Sequence, residues 1–95
     1  MAATVRVAGV QMEPILGQVG RNLGRIVAGL EHAASEGAKL AVFPECALSG
    51  YGFESREAGL AHAVEIDGPE TAAIAKVARA IGCGCIFGLL EKDGD

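Results

Sequence analysis

The sequence predicts an α/β fold built on a mostly parallel sheet, and three observations carry that prediction. Short apolar runs alternate along the chain with stretches whose hydrophobic residues recur at three- and four-residue steps. The fourteen glycines fit tight turns between such elements and lack the regular spacing of collagen or a linker. Hydrophobic residues make up 51% and charged residues 21%, the balance of a globular chain.

The elements follow in order. Val5 to Met12 is valine-rich and loosely alternating, which reads as a largely buried first strand. Pro14, Gly17 and Gly20 mark a loop. Leu23, Ile26, Val27, Leu30, Ala33 and Ala34 then form one face of an amphipathic helix, with Asn22 or a neighbour as its cap and Gly37 as its left-handed stop. Leu40 to Phe43 is a continuous apolar run, a strand covered on both faces, and Pro44 ends it because it has no N–H for a ladder. "ESREAGLAHAV" is weakly helical. "DGPET" opens a clearer helix, with Pro69 at its first position and Glu70 near the positive end of the dipole. Ile74, Val77, Ala78 and Ile81 are its apolar face and Gly82 its stop. Cys85 to Leu90 reads as a third buried strand, and Asp93-Gly94 as a hairpin turn. Three strands and two main helices leave much of a parallel sheet uncovered. Ninety-five residues make at most one small domain, and these read as the first part of a larger one that does not fold cooperatively by itself.

Composition excludes several function classes. A formal charge of −4 with no basic cluster argues against a nucleic-acid surface. Arg6 and Glu13 interrupt the apolar start, so no secretory signal is read there. The run from Ala80 to Leu90 is far shorter than the roughly 20 residues that cross a bilayer. These features predict a soluble cytoplasmic protein. Three cysteines without a secretion signal do not make a disulfide framework. Cys83 and Cys85 are two apart along extended chain at the start of the third strand, which holds their Cα atoms about 6.5 Å apart, a poor disulfide geometry. His32 and His62 lack metal-ligand spacing to them and read as solvated helix residues. The two thiols read as core residues.

"LAVFPECALSGYGF" concentrates the chemistry. Ligands and catalytic groups of open α/β sheets gather at the carboxyl ends of strands, where Glu45 falls. Neighbouring loops can shield a glutamate there, and a desolvated carboxylate is a usable general base near neutral pH. A solvated strand-end carboxylate is the alternative. Tyr51, in the following turn, either lines a substrate pocket or packs the turn. Cys46 adjoins Glu45, but adjacent side chains in extended backbone point apart.

"VRVAGVQMEP", "GRNLGRIVAGLEHAASEGAKLAVFPECALSGYGF" and "IGCGCIFGLLEKDGD" together resemble the amino-terminal part of the nitrilase superfamily, the carbon–nitrogen hydrolases. The likeness covers nearly the whole chain, and "GAKLAVFPE…SGY" is its most specific piece. It implies that residues 1–95 are the amino-terminal portion of one hydrolase domain with an α-β-β-α sandwich fold, incomplete in this chain. It implies a homo-oligomer for the full-length protein and a small-molecule amide or nitrile substrate. It also implies a Glu–Lys–Cys mechanism without metal or organic cofactor, in which Glu45 is the general base. The family's lysine and nucleophilic cysteine belong to motifs that the chain lacks. Lys39, Lys76 and Lys92 do not match the lysine motif, and Cys46 lacks the nucleophile's context. The 95 residues by themselves are expected to be inactive. A nucleotide- or flavin-binding module competes weakly, since no glycine-rich phosphate loop follows the first strand. A non-catalytic remnant or partner subunit of a larger hydrolase is the other alternative.

Overall fold

A computed structural model describes residues 3–94; Met1, Ala2 and Asp95 of the expected 1–95 unit lie outside the described residues. The elements run β1 (Val7–Gly9), α1 (Val19–Ser35), β2 (Leu40–Val42), α2 (Arg56–Leu60), α3 (Pro69–Ile81) and β3 (Gly84–Ile86). All three strands are parallel and lie in chain order, β1-β2-β3. The predicted α/β class and element order are therefore present.

The register explains how the sheet is covered. Ala8, Ala41 and Cys85 stand side by side across the strands and pack into the core. Their small side chains let the helices sit close. At Gly29 of α1 an added Cβ would come within 3.1 Å of the Phe43 ring and 3.2 Å of Val10. Ile26 and Leu30 of α1, Ile74 of α3 and Leu48 of the turn after β2 are large, fully buried aliphatic residues of that core, and α1 also packs against α3. Both helices thus cover one face. The opposite face carries Val7, Val42 and Ile86, which are 55%, 37% and 55% exposed. Strands expected to be covered on both sides are covered on one.

The strands are shorter than their apolar runs. Past the named ends of β1 and β2 the ladder gains one bond on each side, Lys39 N–H to the Arg6 carbonyl and Val10 N–H to the Val42 carbonyl, and Pro44 offers no further donor. Pairing, not hydrophobicity, sets strand length. Residues 87–90 run on beside the turn after β2, and Val64 bridges Glu91 in parallel. Helix ends follow the predicted chemistry in α3, where Pro69 opens the helix and Gly82 closes it at φ 68°. Ser55 caps the five-residue α2 by accepting from the Ala58 N–H at 3.1 Å. Among the described residues, no helix is long and apolar enough to cross a membrane.

The expected cap at Asn22 is a correction. The α1 helix begins at Val19, so Asn22 lies inside it, one turn before Ile26 on the buried stripe, and is fully buried. Its Oδ1 accepts from the Ile15 N–H, and its Nδ2 donates to the Ile15 and Leu48 carbonyls, each at 2.8 Å. A buried amide with three bonds ties the β1–α1 loop to the turn after β2. His62 is a second correction: it is half-buried after α2 and stacks on Phe53 with ring centroids 5.6 Å apart.

Candidate active site

Phe43 donates to the Ile86 carbonyl at 2.8 Å, and Pro44 then ends the pairing. Glu45 is the first residue past this break, at the carboxyl end of the middle strand. Its side chain is exposed, so the shielding expected from neighbouring loops is not supplied by the described residues.

The segment that carries it is held from several sides. Residues 45–49 form a turn closed by the Cys46 carbonyl, which accepts from Ser49 N–H at 3.2 Å and Gly50 N–H at 2.8 Å. Ala47, Leu48 and Ser49 are buried beneath it. Gly17 N–H donates to the Ser49 carbonyl at 2.8 Å, and Asn22 holds the Leu48 carbonyl. Gly50 at φ 74° sits against Leu16, where an added Cβ would come within 3.2 Å of that residue's Cα.

Cys46 adopts φ 49°, a left-handed conformation that costs a non-glycine residue about 1–2 kcal/mol. The expected extended backbone at Glu45–Cys46 is therefore not found, and alternation of side chains along a strand does not set Cys46 aside. The thiol is disfavoured as a nucleophile by its surroundings instead. Burial, and then the Glu45 charge, push its pKa above the ordinary 9.0, which keeps it protonated near neutrality.

Tyr51 does not pack the turn: it is 68% exposed. It stands between two grooves, one of about 650 Å³ shared with Glu13, Pro14 and Arg25, the other of about 310 Å³ shared with Phe53, Arg56 and Leu90. Glu45 lines neither groove, so the structure does not bring the two candidate residues into one pocket. Lys39, at the amino end of β2, lies at the strand end opposite Glu45, and Lys76 and Lys92 are exposed on α3 and after β3. Cys83 is buried and Cys85 half-buried in the core, both as free thiols. Among the described residues, no group of three His, Cys, Asp or Glu side chains is placed to hold a metal ion.

Sequence reasoning missed Asn22 as an anchor, although its position four residues before Ile26 extends the apolar stripe. It also missed Gly88, which lies against the Glu45–Cys46 peptide.

Comparison with known proteins supplies the rest. A family model described as carbon-nitrogen hydrolase matches residues 6–95. A nitrilase of Pyrococcus abyssi is 38% identical over 92 residues, covering 96% of this chain and 35% of that protein. Nitrilase 3 of Arabidopsis thaliana is 32% identical, covering 98% of this chain and 32% of that protein. A nitrilase of Paraburkholderia phymatum is 33% identical, covering 94% and 29% respectively. The chain thus spans about a third of the length of the curated relatives it matches.

Proposed function

Since the chain belongs to the carbon–nitrogen hydrolase family of the nitrilase superfamily, we propose that it is part of an enzyme that hydrolyses a nitrile, amide or carbamoyl C–N bond in a small molecule. In this reading residues 1–95 are the amino-terminal portion of one hydrolase domain. The bare face of Val7, Val42 and Ile86 packs against a second sheet to complete an α-β-β-α sandwich. The full-length protein is a homo-oligomer.

Glu45 is the general base. It takes the proton from a cysteine thiol supplied outside these residues, and the thiolate attacks the substrate carbon. A lysine from the same remainder stabilises charge on the substrate oxygen or nitrogen. Glu45 gives that proton to the departing ammonia or amine and, as a carboxylate again, takes one from the water that cleaves the thioester. Elements beyond residues 1–95 provide the shielding that the described ones do not. Tyr51 forms a wall of the substrate pocket. One observation supports the role of Glu45 above the others: a carboxylate stands at the carboxyl end of the middle strand, on a turn anchored by buried residues.

The test is ammonia release from a panel of aliphatic and aromatic nitriles and amides, using protein expressed from the complete reading frame. Glu45→Gln is expected to lower kcat by at least about 10²-fold. Unchanged turnover by that variant would remove Glu45 from the mechanism. Ammonia release by the 95-residue chain alone, lost in Glu45→Gln, would refute its dependence on an outside lysine and cysteine. The exposed apolar face also fits a second reading, a non-catalytic subunit docked on a larger hydrolase chain. That reading predicts no turnover by the complete frame until the partner chain is added.

A further inference from the structure

Gly88 lies two residues past β3, where the backbone runs beside the turn that carries Glu45. An added Cβ at this position would collide with the backbone nitrogen of Cys46 and come within 3.1 Å of the Cα and carbonyl carbon of Glu45. All three atoms are backbone, so no flexible side chain can move aside. The Gly88 carbonyl also accepts from Leu48 N–H at 3.5 Å, further along the same turn. On the other side, Asn22 holds the Leu48 carbonyl from within α1. Two residues before Leu48, at the peptide that Gly88 lies against, Cys46 keeps its left-handed φ of 49°.

We propose that Gly88 is a positioning residue for Glu45: its missing side chain lets the Glu45–Cys46 peptide seat against the chain after β3, and that seating fixes the direction of the carboxylate. This rests on Glu45 being the general base. The peptide cannot yield toward β2, because Phe43 N–H is bound to Ile86, nor freely toward solvent, because the Cys46 carbonyl closes the turn. A methyl group at 88 therefore moves the Cα from which the Glu45 side chain projects. A base works within about 2.6–3.2 Å of its proton. A misplacement of about 1 Å costs roughly 100-fold in rate.

The experiment compares Gly88→Ala, Glu45→Gln and Gly82→Ala in protein from the complete reading frame. Gly82→Ala is the stability control, strained at φ 68° but in open space at the end of α3. With the nitrile or amide turned over fastest, Gly88→Ala is expected to lose about 100-fold in kcat with KM changed less than about threefold. Gly82→Ala is expected to keep wild-type kcat. If Glu45→Gln retains activity, the general-base reading fails and this one with it. If Glu45→Gln is inactive while Gly88→Ala keeps wild-type kcat, only the positioning role is overturned. A second readout needs no turnover. Alkylation of Cys46 by iodoacetamide at pH 8, mapped by peptide mass spectrometry, is expected to accelerate several-fold in Gly88→Ala and not in Gly82→Ala. Equal rates in wild type and Gly88→Ala would also overturn the proposal.

Discussion

The 95-residue chain by itself tests the bare sheet face directly, because the described residues leave that face uncovered. The chain exposes 6164 Å². A compact monomer of 9.7 kDa is expected to expose about 5,100 Å². Its radius of gyration is 14.2 Å, against about 12.4 Å for a compact domain of this length. The excess surface is about 1,000 Å², close to one side of a standard protein interface. If only half of it is apolar, covering it stabilises by about 12 kcal/mol at 25 cal/mol/Å². That is as large as the whole net stability of an ordinary domain. The isolated chain is therefore expected to unfold gradually in urea and to bind an apolar dye before denaturant is added. Circular dichroism and sedimentation velocity on one sample provide the measurement. A monomer with a sigmoidal transition and matching calorimetric and van't Hoff enthalpies would refute the reasoning.

Three further outcomes follow in the protein from the complete frame. Asn22→Leu strands a fully buried Leu48 carbonyl and loses two part-buried bonds to Ile15, so urea unfolding should show a loss of about 2–4 kcal/mol. A loss under 0.5 kcal/mol would mean that the amide network does not hold the loops together. Cys46→Val should destabilise by about 1–3 kcal/mol, because a β-branched residue fits the left-handed region poorly, while Cys46→Gly should be neutral or stabilising. The reverse order would contradict the backbone conformation. Burial, and then the neighbouring Cys83, raise the Cys85 thiol from 9.0 to about 11. Between those values the folded protein keeps a proton that the unfolded chain has released, so stability falls as pH rises through that window. Cys85→Ala should flatten that fall, and an unaltered slope from pH 9 to 11 would count against the burial of this thiol.

Hydrophobic periodicity made the order of elements legible, since Ile26 and Leu30 in one helix, and Ile74, Val77 and Ile81 in another, recur at helical spacing and Leu40 to Phe43 forms an unbroken apolar run. Strand ends were not legible, because a strand stops where its partner stops. Pro44 lacks the N–H that would continue β2 toward β1, so that pair stops there. Asn22 was misread because capping is judged from adjacent residues. Its real partners, Ile15 and Leu48, stand 7 and 26 positions away. Glu45 could be singled out from local pattern alone, an apolar run meeting a carboxylate and a glycine-rich turn. The left-handed Cys46 and the close approach of Gly88 arise only when β2 and β3 lie side by side.

The chain-order arrangement of the strands bears on how the protein is made. Among the described residues each strand adds to the edge left by the one before it, and none is threaded between two earlier ones. Helix and strand can dock as they leave the ribosome, at about 5–20 residues per second. With both helices on the same side, the Val7–Val42–Ile86 face stays open from the moment the third strand docks. An open apolar face on a nascent chain is a target for chaperones and a nucleus for aggregation. If a second sheet covers that face as proposed, the speed of that covering governs the yield of folded protein.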